Sequence, residues 1–271
     1  MIRSLRHLRY LVIEEVQVPV LTNALRHALR EGRPQIGLWS SLSNHITVEV
    51  ISGSGFDWLL LDTEHSPNEL TMVHSQLQAM TGGTATAVVR PAWNDPILFK
   101  RFLDIGVQSF LVPWVQNAEE ARRAVASTRY PPEGIRGFAG TIRANRYGRV
   151  KDYAKRVHGE LCVVVQIETQ VALRNLEAIA AVDGVDGLFI GPSDLAADLG
   201  HVGNNAHPDV RAAIDDAITR IVKTGKFAGI LAPVEADARH WMELGCLFVA
   251  VGSDVGILAR QSEALAARYK P

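Results

Sequence analysis

The chain has little that would suit secretion, a membrane or nucleic acid. Cysteine is nearly absent: among 271 residues only Cys162 and Cys246 occur. Both fall at or just before apolar runs that read as strands, so buried free thiols are expected rather than a disulfide, and a cytoplasmic location fits. Neither sign of charge dominates. The 28 Lys and Arg against 29 Asp and Glu leave a formal net charge of −1. Without a basic excess to neutralise phosphates, no nucleic-acid partner is expected. No apolar stretch approaches the ~20 residues that a membrane span requires, so no membrane partner is expected either. Low-complexity segments are missing as well.

What is present is a long apolar and polar alternation. Hydrophobic residues make up 47% of the chain, and a length near 270 residues suits a single α/β barrel. Residues 1–34 read as an N-terminal extension. Its start carries Arg3, Arg6, His7 and Arg9, but Glu14 and Glu15 follow and no small-residue cleavage site is visible. It therefore reads as a segment packed on the surface or on a partner subunit, not as a targeting peptide. From residue 35 to 271, short apolar runs alternate with helical patterns. Strands are predicted at 35–42, 58–61, 86–89, 109–115, 161–167, 187–190, 227–231 and 247–251. Helical patterns separate them, among them 67–80, 118–128 capped by Asn117, 208–224 and a closing helix at 255–269. The rhythm breaks at 130–141, which is rich in Pro and Gly and is followed by Arg143, Arg146 and Arg149. A break of this kind in a compact domain suggests a lid or a subunit contact. Eight strand-helix units predict a (β/α)₈ TIM barrel. The even spacing disfavours an open doubly wound sheet, and the active site then lies at the C-terminal ends of the strands.

Read as chemistry, those strand ends supply Asp62 and His65, then Arg90, then Gln166 and Glu168, then Ser193 and Asp194. Glu168 and Asp194 each end an apolar run, and parallel strands would bring them to one edge. Two carboxylates suit a hard divalent cation, Mg²⁺ or Mn²⁺, with Co²⁺ as a further candidate; the lesser reading is two acids capping helices. No second His stands beside either acid, which disfavours structural zinc. Such a cation would chelate a 2-oxo acid and act on it as a Lewis acid. Arg90 is shaped to face a developing oxyanion. His65 follows a strand-end acid at short spacing and can exchange a proton near neutral pH. By spacing alone, Asp62 would be its partner. A Schiff-base route would need a lysine at a strand end. Only Lys226 neighbours a strand, and it precedes that strand.

Several stretches, in order along the chain, resemble one family: DTEHSP from Asp62, VRPAWNDP from Val89, LVPWVQNA from Leu111, RYPPEGIRG from Arg129, VQIET from Val165, FIGPSDL from Phe189 and VAVGSD from Val249. Together they resemble the HpcH/HpaI family of metal-dependent pyruvate aldolases. The resemblance implies that His65 is the catalytic base, that Asp104 (not Asp62) raises its basicity, and that Arg90 stabilises the transition state. It further implies Glu168 and Asp194 as metal ligands, and Gln166, Ser193 and Asp194 as contacts to pyruvate. A barrel whose last helix is exchanged between subunits, in homohexamers built as trimers of dimers, is also implied. The sequence departs from the family pattern at Thr63, where Gly is usual, at Trp114, where Met is common, and in the loop 138–149. Trp114 and that loop are expected to border the aldehyde pocket. The reading is thus a class II aldolase acting on a 4-hydroxy-2-oxo acid, with pyruvate and an aldehyde as its small-molecule partners. A citrate-lyase-like or malyl-CoA-type lyase and a non-catalytic 2-oxo-acid-binding barrel are the alternatives.

Overall fold

The computed structural model describes residues 19 to 270. The basic stretch at the start of the expected extension lies outside the described residues. Eight parallel strands pair in sequence order and close into a barrel: β1 (Gln35–Ser40), β2 (Trp58–Asp62), β3 (Thr86–Arg90), β4 (Ser109–Val112), β5 (Cys162–Ile167), β6 (Gly187–Ile190), β7 (Phe227–Leu231) and β8 (Cys246–Ser253). Helices α1 (Ala24–Arg30), α2 (His45–Ser52), α3 (Leu70–Ala79), α4 (Pro96–Asp104), α5 (Ala118–Thr128), α6 (Tyr153–Arg156), α7 (Gln170–Arg174), α8 (Leu176–Ala180), α9 (Pro192–Asp198), α10 (Pro208–Lys223), α11 (Glu235–Glu243) and α12 (Asp254–Ala267) accompany them. Among the described residues no helix is long and apolar enough to cross a membrane.

Strand parity assigns the two cores. Side chains alternate across a strand, and Trp58 and Leu60 pack in one cluster with Val88, Leu111, Cys162, Val164, Phe189 and Phe248. Their neighbours Leu59 and Leu61 join the larger cluster with the helices, alongside Val73, Phe99, Ile179 and Ile218. The first cluster fills the barrel and the second cements the helical layer, so both faces of each strand are buried, as a parallel sheet requires. Gly37 leaves room inside the barrel for the Trp58 indole, which a Cβ would overlap. In α10, Val210, Ile214, Ala217, Ile218 and Ile221 are buried at helical spacing.

Residues 19–34 are not a loose appendage. Leu25 and Leu29 of α1 belong to the barrel-interior cluster and seal its lower end, where the strands begin. Asn23 caps α1 and ties it down: its Nδ2 donates to Ser109 Oγ at 2.9 Å and its N–H donates to Glu160 Oε2 at 2.7 Å. At the upper end, Asp254 joins β8 to β1, accepting from Ser40 Oγ at 3.0 Å and from the Ser41 and Leu42 N–H groups at 2.9 and 3.2 Å.

Two differences from the sequence reading bear on the mouth. The fourth strand stops at Val112 rather than 115, because Pro113 has no N–H for the ladder and Trp114 turns into left-handed backbone at φ 56°. The segment after α5 is no lid over its own mouth. A helix of a β/α unit runs antiparallel to its strand, so the chain leaves α5 at the lower end. Arg143, Arg146 and Arg149 accordingly line a cavity of about 670 Å³ with Gly106 and Gln108, at the start of β4. Within one chain the loop 138–149 therefore does not border the mouth, where the aldehyde pocket was expected.

Candidate active site at the barrel mouth

The parity that places Cys162 and Val164 inside the barrel carries Gln166 and Glu168 inward on the same face, above the apolar plug. Glu168 is 2% exposed. Its Oε1 accepts the Trp114 N–H at 2.7 Å and its Oε2 accepts from Gln166 Nε2 at 2.8 Å. Gly191 is required here, since a Cβ would lie 2.6 Å from Glu168 Oε2. Burial pushes the Glu168 carboxyl up to about 7; the Trp114 N–H opposes the rise, while the charges of Asp194 and Glu64 add to it. Asp194 enters from the first turn of α9, half-buried, and Ser193 beside it is exposed.

Across the mouth, β2 and β3 pair Asp62 with Arg90. The Arg90 guanidinium grips Asp62 through Nε at 2.8 Å and Nη2 at 2.7 Å, and its Nη1 lies 2.9 Å from Glu64 Oε2. Trp39 Nε1 donates to Asp62 Oδ2 at 3.3 Å, and the guanidinium carbon sits 5.0 Å from the centre of the Trp39 ring. Burial would raise the Asp62 carboxyl, but the Arg90 hydrogen bonds and charge overcome it and hold it below its ordinary value. Glu64 is driven the other way: burial raises it, only partly offset by Arg90. Three of the five guanidinium N–H groups are thereby used, leaving two for a ligand.

His65 stands exposed at the rim, its side chain 66% accessible, with Glu64 Oε2 3.8 Å from Nε2. Asp62, its partner by spacing, is committed to Arg90. Asp104 does not meet His65 within the chain. It is the last residue of α4, at the lower end of the barrel, and its Oδ1 pairs with Arg136 at 3.0 Å. The departures from the family pattern also find local uses. Thr63 is buried, and its hydroxyl donates to the Arg90 carbonyl at 2.6 Å, tying β2 to β3. Trp114 holds Glu168 through its backbone.

The structure therefore brings Arg90, Gln166, Glu168, Ser193 and Asp194 to one mouth, places His65 at its rim and sets Asp104 apart. Sequence reasoning missed Glu64 and Trp39. Glu64 lies in the stretch already singled out, and Trp39 was detectable only as the inward residue at the end of β1. Whether a cation fits can be asked of the donors themselves. The buried Glu168 carboxyl beside Asp194 and Glu64, and a buried Gln166 Oε1 without a hydrogen-bond partner, form an all-oxygen set in which Arg90 offsets only part of the acids' charge. That donor set fits a hard divalent ion.

The profile of the HpcH/HpaI aldolase/citrate lyase family matches residues 35–260. The chain is 56% identical over 250 residues to the 4-hydroxy-2-oxo-heptane-1,7-dioate aldolase of Klebsiella pneumoniae subsp. pneumoniae, covering 92% of this chain and 94% of that one. A Salmonella dublin protein of the same name is 54% identical over 250 residues, covering 92% and 95%. A solved structure of an HpcH/HpaI aldolase/citrate lyase family protein from Burkholderia cenocepacia superposes with a TM-score of 0.88 at 38% identity, covering 91% of this chain and 99% of that chain. Fold and site together define a carbon–carbon lyase on a TIM barrel. The chain belongs to the HpcH/HpaI aldolase/citrate lyase family.

Proposed function

We propose that this enzyme is a class II aldolase that reversibly cleaves a 4-hydroxy-2-oxo acid, of the 4-hydroxy-2-oxoheptanedioate or 2-dehydro-3-deoxyglucarate type, to pyruvate and an aldehyde. The observation that carries the reading is the buried Glu168 carboxyl, held inward by the Trp114 N–H and Gln166 at a mouth it shares with Asp194 and Arg90. Glu168 and Asp194 would hold a divalent cation, Mg²⁺, Mn²⁺ or Co²⁺. When bound, it supplies Lewis acidity toward the keto and carboxylate oxygens of the substrate.

The chain's own groups do the rest. Gln166 and the first turn of α9 at Ser193 and Asp194 orient the pyruvate half. His65 takes the proton from the 4-hydroxyl as the C3–C4 bond breaks; that electron pair moves toward C2, leaving an aldehyde and the enolate of pyruvate. The two unclaimed N–H groups of Arg90 face the enolate oxygen, and Asp62, Glu64 and Trp39 fix their direction. Protonation at C3 then releases pyruvate. Because His65 and Asp104 occupy opposite ends of one barrel, the acid that supports His65 is the Asp104 of a neighbouring copy.

Residues 35–271 are the catalytic unit, preceded by the extension 1–34. The last helix is exchanged between subunits, in a homohexamer built from dimers. Support comes from α12, where only Asp254 is buried while Val255, Ile257, Leu258 and Leu265 are exposed. Free, buried thiols at Cys162 and Cys246 support a reducing, cytoplasmic setting.

The test is exchange of the pyruvate methyl protons for deuterium, followed by NMR, together with cleavage of 4-hydroxy-2-oxo acids. Exchange is expected with Mn²⁺ and not with EDTA, and Arg90→Ala should lose it. His65→Ala should lose most aldol cleavage. Exchange that persists unchanged in EDTA would sink the cation assignment, and a fully active His65→Ala would remove the assigned base.

A further inference from the structure

Outside the mouth, a second group of metal-ligating side chains converges where the chain passes from α9 to α10. His207 is the N-cap of α10, and its Nδ1 accepts the Asp209 N–H at 3.2 Å. The His201 ring stacks on the His207 ring, with centroids 3.5 Å apart and planes at 15°. Both imidazoles reach the same carboxylate oxygen: His201 Nε2 lies 3.6 Å, and His207 Nδ1 3.7 Å, from Asp209 Oδ2. The three ligand atoms lie within 4.8 Å of one another, the one such group of three or more His, Cys, Asp or Glu among the described residues.

The turn that presents them is set by its backbone. The His201 N–H donates to the Ala196 carbonyl at 2.7 Å, the Asn204 N–H to the His201 carbonyl at 2.9 Å, and the His207 N–H to the Asn204 carbonyl at 3.1 Å. Gly200 and Gly203, at φ 87° and 74°, take the left-handed positions this path needs. The two imidazoles are partly buried, at 26% and 31% side-chain exposure, while Asp209, at 73%, stands toward solvent.

We infer that His201, His207 and Asp209 form a second metal site, for a borderline transition ion such as Zn²⁺ or Ni²⁺. Zinc with ligands at about 2.0–2.1 Å in tetrahedral geometry sets those ligands roughly 3.3 Å apart, so the observed N–O separations need to close by a few tenths of an ångström. The ion replaces one backbone N–H at His207 Nδ1, and the stacked rings splay to admit it. Asp209, in the first turn of α10, counters the positive end of that helix. Two imidazoles and one carboxylate leave a fourth position for water. This donor set also separates the site from the mouth, where oxygen donors alone favour Mg²⁺ or Mn²⁺. The loop reaches that mouth through Asn205, whose Nδ2 donates to Ser193 Oγ at 3.1 Å.

The experiment is calorimetric titration of Ni²⁺ into the intact protein under saturating Mg²⁺, with three variants. His201→Phe keeps a flat ring for the stack and removes one donor. Asp209→Asn weakens the shared acid, and Glu168→Gln disables the mouth. The wild type should bind a Ni²⁺ ion that Glu168→Gln retains. His201→Phe should weaken that binding more than about tenfold, the lower bound for losing even a supporting partner of a metal site, and Asp209→Asn should weaken it in the same direction. Unchanged Ni²⁺ affinity in His201→Phe, loss of all binding in Glu168→Gln, or no binding by the wild type at millimolar Ni²⁺ would each overturn the inference.

Discussion

The Glu168 carboxyl sits among a backbone N–H, an amide and the bare backbone of Gly191, and water scarcely reaches it. Its metal-free pH behaviour follows in sign. A folded value near 7 against an ordinary 4.5 means that the folded state binds the proton more tightly than the unfolded one. Its contribution to stability is complete below 4.5 and is lost as pH rises through 7. The loss is of order 3 kcal/mol for a shift of that size. In EDTA, Glu168→Gln should therefore resist urea better than the wild type at pH 8, by about that order. The gap should narrow steadily as pH falls and close below 4.5, and adding Mn²⁺ should restore the wild type alone. A gap independent of pH would deny Glu168 its raised value. Glu168 was legible in the sequence because a strand's parity and its abrupt stop at a carboxylate can be read directly. The grip of Asp62 and Glu64 on Arg90 was not. The stretch DTEH offers two acids and an imidazole within four residues, and only the β2–β3 register brings both acids onto one guanidinium.

Among the elements, α12 differs most from its neighbours. A helix that covers a barrel buries a stripe, as α10 does, but α12 leaves its apolar residues in solvent. Leu258→Glu together with Leu265→Glu should leave the barrel's circular dichroism intact and shift the protein to smaller assemblies by light scattering. Both side chains are exposed on their own subunit, so an intact fold with unchanged assembly mass would contradict exchange of this helix. The sequence signalled α12 as a helix through its spacing. It carried no signal for where the helix packs, because an apolar stripe reads the same whether its own barrel or a neighbour's covers it. Element ends were less readable even where a breaker stands: β4 ends at Val112, before Pro113, rather than at 115, and α3 starts at Leu70 rather than 67.

For the molecule as a whole, the barrel's polarity governs what can meet. The eight-unit rhythm was plain in the sequence, and with it the rule that strand ends face one mouth. The same rule places Asp104, at a helix end, on the far side from His65. Subunits lacking one or the other should therefore complement. His65→Ala and Asp104→Ala chains, each inactive alone, should recover about a quarter of wild-type aldol cleavage when unfolded and reassembled together in equal amounts, since a site needs both intact donors from adjacent copies. No recovery in assembled mixtures would return the pair to a single chain or dissolve it.

The seal at the barrel floor bears on the order of assembly. Helix α1 is made early, yet its holdfasts are Glu160 and Asp186, reached by Asn23 and Arg26 across 137 and 160 residues of chain. During synthesis this helix must wait, with Leu25 and Leu29 uncovered, until β5 and the turn into β6 have emerged. The floor of the barrel is thus a lock whose key is cut first and turned late, and a nascent chain stopped short of residue 186 carries a helix with nowhere to dock.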